Sequence, residues 1–237
     1  MCGLLHEGAL RVGAKNFRAM RPDVQLEVPG SRVLLHCCCA PCSGAVVECL
    51  VANGVRPTLF FSNANIVPRE EYELRRSELC RYAAQYGLEV IDDEDDHAAW
   101  LAAVRGLERE PERGARCLQC FRYRLLRAAR YAAAHGYDVL ATTLASSRWK
   151  DLAQVDQAGR EACETVSAEA VSVLALGGSG AGGPDGGEVL ALGAGRRVVW
   201  WGQNWRKGGL QPRRSEIIRE QGFYNQTWCG CEFSRHD

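Results

Sequence analysis

The chain has 237 residues, with 29 Lys+Arg against 29 Asp+Glu and a formal net charge of zero, so whole-molecule charge points to neither a nucleic acid nor an anionic membrane, and a polyanion has to be held by a local patch. That length fills one large domain and does not require a second. No apolar run approaches the roughly 20 residues of a membrane span, and residues 1–30 carry Arg11, Lys15, Arg18 and Arg21 without a signal-peptide core. The reading is a cytosolic protein with no membrane association, made of a mobile N-terminal extension (1–30) and one domain (31–237).

Val33–Leu35 begin a short buried strand that runs into His36 and the cysteines, after which Ser43 is expected to cap a helix over 44–52, stopped by Asn53-Gly54. Thr58–Ser62 reads as a second strand, 69–86 as a helix closed by Gly87, 88–91 as a third strand, and 97–107 as a helix after an acidic turn. The Ala- and Arg-rich stretch 117–135 is strongly helical and ends at Gly136; Tyr137–Thr143 is the fourth strand, 150–164 a further helix, 198–201 a last strand and 212–221 a last helix. Strands and helices alternating at this spacing predict an α/β fold, a Rossmann-like open and mainly parallel sheet flanked by helices. The Gly-rich segment at about 175–197 reads as a flexible insertion, and a cysteine-bearing segment closes the chain.

Twelve cysteines in a reducing compartment point to metal ligation or redox chemistry rather than structural disulfides. Three groups stand out: Cys37, Cys38, Cys39 and Cys42; Cys117 and Cys120; Cys229 and Cys231. Cys2, Cys49, Cys80 and Cys163 stand alone and read as structural. The first group sits where a strand hands over to a helix, the place at which open α/β sheets keep their reactive crevice and at which the helix N-terminus favours thiolates. Adjacent strand residues point to opposite faces, so Cys38 and Cys39 can share a centre only if the chain leaves extended geometry there; Pro41 is expected to fix that turn and to keep Ala40 extended. Cys39-Ala-Pro-Cys42 also fits a thioredoxin-like pair. Cys117 and Cys120, three apart on a helix, face one way. Thiols from two distant segments suit an iron–sulfur cluster or a structural zinc; adjacent cysteines and wide spacing favour the cluster. Cys229-Gly-Cys231 can close only a small, strained disulfide, which is easily reduced and so suits a reversible electron carrier.

Arg113, Arg116, Arg122, Arg124, Arg127 and Arg130 surround or follow Cys117 and Cys120, and Arg206-Lys207 through Arg213-Arg214 form a second basic stretch behind Trp200, Trp201 and Trp205. These are a solvated face, or guanidinium and indole surfaces for RNA phosphates and bases.

Taken in order, Leu35–Ser43 (LHCCCAPCS), Asn63–Pro68 (NANIVP), Tyr72 with Arg75, Gly106–Leu125, Thr142–Ser147 and Cys229–Ser234 (CGCEFS) resemble the QueH family of epoxyqueuosine reductases, over about residues 32–234 apart from the Gly-rich stretch. The resemblance implies a catalytic α/β domain that removes the epoxide oxygen of epoxyqueuosine at the tRNA wobble position, the last step of queuosine synthesis, without cobalamin. It implies a [4Fe-4S] cluster on Cys38, Cys39, Cys117 and Cys120, an adjacent mononuclear iron with Cys42 as a ligand, and Cys229 with Cys231 as the redox-active pair. Cys37 stands where another residue is usual and opens a ligand register shifted by one. The partners implied are tRNA carrying epoxyqueuosine and an external electron donor, with Arg113, Arg116, Arg122, Arg124, Arg206 and Lys207 as candidate tRNA contacts. Arg148-Trp149-Lys150 replaces a Pro-His-Lys type stretch, and Trp228 a usual Tyr. His36 is either a hydrogen-bond partner of the ligands or a satisfied core histidine; Glu108, Glu110 and Asn65 are site-loop residues without an assigned role. A thioredoxin-like oxidoreductase and a zinc-stabilised RNA-binding module are the alternatives.

Overall fold

The computed structural model describes residues 24–93, 96–176 (side chains as far as Val171) and 197–234. Five strands, β1 (Val33–His36), β2 (Thr58–Phe61), β3 (Val90–Asp92), β4 (Val139–Thr142) and β5 (Val199–Trp200), form one sheet in the order β3-β2-β1-β4-β5. Every pairing is parallel, as the alternating pattern predicts. Strands β1 and β4 are buried along their whole length because a parallel sheet has helices over both faces. The helices are α1 (Ala40–Ala52), α2 (Arg69–Gln85), α3 (His97–Ala103), α4 (Ala115–Ala134), α5 (Leu152–Leu176) and α6 (Leu210–Gln221), with a 3₁₀ turn at Thr143–Ser146. Among the described residues no helix is long and apolar enough to cross a membrane.

Three local expectations give way. Helix α1 starts at Ala40, not after Ser43: Cys39 is its N-cap, Ala40 is helical, and Pro41 sits in the first turn, where a missing N–H is no loss. Ser43 instead turns its hydroxyl back onto the Cys39 carbonyl at 2.8 Å. Helix α5 runs to Leu176 rather than Glu164, held along α4 by the ion pairs Arg122–Glu161 and Arg130–Glu169. The Gly-rich segment falls for the most part, at 177–196, outside the described residues. At the other end, Val24, Leu26 and Val28 pack on the core, strapped by Asn53, whose Oδ1 accepts from Leu26 N (3.1 Å) and whose Nδ2 donates to Val24 O (2.9 Å).

The strand order places the topological switch between β1 and β4. The chain leaves β1 towards β2 and β3, then returns to β4 on the other side, so the crevice beyond the carboxyl ends of β1 and β4 is open to residues from both halves. The tryptophans after β5 belong to the core: Trp201 and Trp205 are buried in T-shaped contact at 5.5 Å, and Trp205 Nε1 donates to Thr142 O at 3.1 Å.

Gly159 of α5 lies under Trp200, whose indole nitrogen is tied to Asp156 at 2.7 Å; a Cβ on Gly159 would meet three ring atoms at 2.3–2.4 Å. Helix propensity alone favours Ala by about 1 kcal/mol, but overpacking a pinned ring costs about 1–3 kcal/mol. Gly159→Ala is therefore expected to lower the urea midpoint; a raised midpoint would show that the indole swings away freely.

Candidate thiol site at the strand ends

The cysteine run bends immediately after β1. Cys37 continues the ladder, its N–H donating to Phe60 O at 2.8 Å, and its side chain lies in the hydrophobic core with Sγ donating to Leu35 O at 3.3 Å. Burial pushes its thiol far up. The chain turns at Cys38 and is extended at Cys39 (φ −174°, ψ 164°), and this brings the Cys38 and Cys39 sulfurs to 3.8 Å. With Cys42, from the first turn of α1, the three sulfurs lie within 4.8 Å of one another. Hydrogen bonds from Cys39 and Cys42 hold the Cys38 thiol well below its ordinary value, helped by the charge of Arg124. The same bond raises Cys42 to about 11, and burial with the neighbouring sulfurs raises Cys39. The third sulfur sets this arrangement apart from a two-cysteine thioredoxin pair.

His36 takes no part in holding these sulfurs. Its Nε2 donates to Ser62 O (3.1 Å), its Nδ1 lies 2.8 Å from Thr142 Oγ1, and burial, with Arg124 nearby, depresses its pKa to about 3. It is a neutral, satisfied core histidine.

Cys117 and Cys120, on the first turns of α4, line one cavity with Cys229 and Cys231, together with Asn65, Trp100, Arg116, Phe121, Arg124 and Lys150. Gly230 makes this possible: its φ of 96° turns the chain between the two cysteines, and its carbonyl accepts from Val67 N at 3.0 Å. Arg75 Nη1 and Asn65 Nδ2 both donate to Cys229 O, at 3.1 and 3.3 Å. Hydrogen bonding from Cys231, then Lys150 and Ser234, holds the Cys229 thiol well below its usual value, while the same bond pushes Cys231 far up. For Lys150, burial opposes its charge, but the sulfurs of Cys229, Cys117 and Cys120 outweigh it and raise its pKa.

The two thiol groups are joined by Arg124. Its side chain is buried, donates through Nε to Ser62 O (3.1 Å) and contacts Asn63 Oδ1, lines the cavity of Cys117 and Cys120, and exerts its charge on Cys38. Arg116 is also buried and donates only to backbone carbonyls, Glu108 O (2.6 Å) and Phe233 O (3.3 Å). Among the remaining candidate tRNA contacts, Arg122 is spent on Glu161, Arg113 and Arg206 bind backbone carbonyls, and Lys207 is exposed. Glu108 and Glu110 serve the turn before α4, accepting from Gly106 N (3.0 Å) and Ala115 N (3.1 Å).

Several polar atoms stand open around the sulfurs. Asn65 Oδ1, Trp100 Nε1 and Gln226 Oε1 are buried without a hydrogen-bond partner among the described residues, although Gln226 Nε2 donates to Cys39 Sγ at 2.6 Å. Buried cations without carboxylates, unpartnered polar atoms and two clusters of sulfur form a donor set that fits an anionic metal–thiolate group. A larger cavity, about 300 Å³, opens between α5 and β5 beside Trp200 and Trp201 but has no cysteine in its wall. Gln226 and Trp100 carried no signal in spacing, since each reaches the site from a distant segment; Lys150 was visible only as the Lys of the stretch that stands where a Pro-His-Lys type run is usual.

The fold and the site together define a cysteine-based α/β protein with its reactive groups at the switch point. The family model described as Epoxyqueuosine reductase QueH matches residues 33–173 and 189–237, and the chain belongs to that family. It is 38% identical to the epoxyqueuosine reductases QueH of Histophilus somni and Haemophilus influenzae, in each case over 94% of this chain and 79% of the relative. It is 28% identical to the QueH of Thermotoga maritima, over 85% of this chain and 89% of the relative.

A Cβ on Gly230 would meet Ile66 at 2.9 Å and demand positive φ from an L-residue. Gly230→Ala is expected to loosen the turn, so that alkylation of Cys229 and Cys231, followed by mass spectrometry, becomes at least several-fold faster. An unchanged rate would show that the turn tolerates a side chain.

Proposed function

We propose that this chain reduces epoxyqueuosine to queuosine at the wobble position of tRNA, and that Cys38, Cys39, Cys117 and Cys120 hold a [4Fe-4S] cluster with Cys42 serving a second metal, iron. Membership of a family of epoxyqueuosine reductases supports the reaction. The observation that carries the site is the pair of cations, Arg124 and Lys150, facing sulfur with no carboxylate partner among the described residues. The core position of Cys37 supports the register on Cys38 and Cys39. When bound, the cluster supplies single electrons and the second metal a Lewis acid.

The residues of the chain do the rest. Overall the epoxide loses both C–O bonds, a C=C bond forms, and the oxygen leaves as water, which takes two electrons and two protons. The Cys229 and Cys231 pair carries the two electrons, becoming a disulfide that an external donor reduces again. Cys229 is the thiolate of the pair and Cys231 the thiol, so Cys231 supplies one of the protons and solvent water the other. The Lys150 ammonium lines the same cavity and stabilises negative charge developing on the departing oxygen. Arg75 and Asn65 fix Cys229 through its carbonyl, and Gln226 orients Cys39. A tRNA substrate places the work in the cytoplasm.

Anaerobic iron and sulfide analysis with EPR, before and after dithionite, tests the reading. About four sulfides and four to five irons per chain, with turnover of epoxyqueuosine-containing tRNA, are expected; zinc alone from a preparation protected from oxygen would overturn the cluster. Cys117→Ser is expected to lose iron and sulfide while keeping the circular dichroism spectrum. Cys229→Ser is expected to keep both yet turn over at least about 100-fold more slowly, and a Cys229→Ser chain with full multiple turnover would remove the pair from the reaction.

A further inference from the structure

Between the 3₁₀ turn and α5 lies the loop Ser147-Arg148-Trp149-Lys150, and all four of its carbonyls accept from a guanidinium. Arg206 Nη2 donates to Ser147 O (2.6 Å) and Lys150 O (2.7 Å); Arg113 donates to Arg148 O through Nη2 (2.9 Å) and to Trp149 O through Nε (3.1 Å). Arg113 adopts φ 67° to do this, an uncommon conformation for a residue with a side chain. Its own N–H donates to Cys117 Sγ at 3.2 Å, and its carbonyl accepts from Gln154 Nε2 at 2.8 Å. The loop is thus a rigid shelf fastened directly to the thiol site.

On that shelf Trp149 is 75% exposed, the most exposed large hydrophobic side chain among the described residues. Single exposed apolar residues are ordinary, but three features set this one apart. Its backbone is fixed from two sides, so an indole here is presented rather than left on a loose tip. The next residue, one Cα step of about 3.8 Å away, is Lys150, whose side chain lines the thiol cavity, and Arg113, which binds the Trp149 carbonyl, donates its N–H to Cys117 of the same cavity; the backbone of Trp149 therefore lies beside that cavity. The surrounding charges are positive: Arg113 and Arg206 give their hydrogen bonds to neutral carbonyls, and Arg148 and Lys207 are exposed. One carboxylate stands nearby: Asp151 accepts from Ala153 N and Gln154 N at 2.8 and 3.1 Å, and its charge also acts on Arg206, so the cations outnumber the acid. An exposed indole amid an excess of cations is the pattern that binds single-stranded nucleic acid, base on ring and phosphate on guanidinium.

We propose that Trp149 is a stacking platform for a nucleobase of the substrate RNA adjacent to the nucleotide whose modified base lies over the thiols. The proposal rests on the epoxyqueuosine-tRNA reading. Trp149 touches substrate remote from the reacting carbons, so it contributes to binding and alignment and leaves the chemical step to the sulfurs and Lys150.

The test titrates the full chain, prepared anaerobically, with a synthetic RNA anticodon stem-loop carrying epoxyqueuosine, following tryptophan emission and turnover in wild type, W149A and W149F. RNA is expected to quench wild-type emission. W149A is expected to lose that component of the quench and to raise Kd and KM about tenfold or more, with kcat at saturating RNA unchanged, while W149F restores affinity to within about threefold. Matching circular dichroism and urea midpoints establish that W149A is folded. W149A with wild-type affinity and wild-type quenching overturns the platform. A wild type that binds the RNA with Trp149-dependent quenching but never reduces it upholds the platform and counts against the reductase reading.

Discussion

Arg124 brings a positive charge into the interior, where among the described residues only neutral oxygen acceptors receive it. Removing a charge from water costs several kcal/mol even after relaxation, and hydrogen bonds to Ser62 O and Asn63 Oδ1 do not supply the missing negative charge. What faces it is sulfur. Arg124 acts on Cys38 on one side and shares a cavity wall with Cys117, Cys120, Cys229 and Cys231 on the other, so the cation and the sulfurs are mutually dependent: thiolate character offsets the buried guanidinium, and the guanidinium keeps thiolates in a dry crevice. The strand order makes this meeting possible, since only at the β1/β4 switch can a residue of α4 stand between the cysteines after β1 and those of the C-terminal segment.

The neutral net charge conceals two populations of basic residue. One is matched with acid: Arg122 with Glu161, Arg127 with Asp93, Arg130 with Glu169, and Arg213 with Glu48. These tie helix to helix or helix to loop, and partly exposed pairs of this kind contribute little each, about 0–1 kcal/mol. The other population, Arg113, Arg116, Arg124, Lys150 and Arg206, donates to carbonyls or faces sulfur. Of the arginines of α4, Arg122, Arg127 and Arg130 are acid-paired while Arg116 and Arg124 donate to neutral oxygens, a division that formal charge counted along the sequence cannot show.

The sheet was legible because its signal is local: short β-branched and aromatic runs alternating with helical stretches, each closed by Gly. Helix starts were less so. Ser43 carries the side chain of a cap, yet Cys39 takes the position because the chain must bend at Cys38 to join its sulfur to that of Cys39, a tertiary demand that no propensity encodes. The three cysteine groups were visible from spacing, and the place of Cys37 in the core follows from alternation along the strand once β1 is seen to pair through His36. Gln226 and Trp100 come from segments far apart in sequence and carry no motif of their own, Lys150 was legible only through the Pro-His-Lys type stretch it shares, and the tryptophans after β5 could be told apart as core only from their packing. The basic stretches suggested RNA as a composition; which of those side chains remain free for it is decided by ion pairs between distant helices.

The clamp on residues 147–150 separates two kinds of information. The shape of the shelf is written in Arg113 and Arg206, which grip its backbone carbonyls, and in Ser147, whose Oγ accepts from Trp149 N at 3.3 Å; the surface of the shelf is written in residues 148 and 149, whose side chains take no part in that hold. Because the first does not depend on the second, the chemistry shown to a substrate can be exchanged without refolding the loop that presents it. The surface at this rim is thus free to drift while the cysteines and the fold beneath them stay under separate constraint.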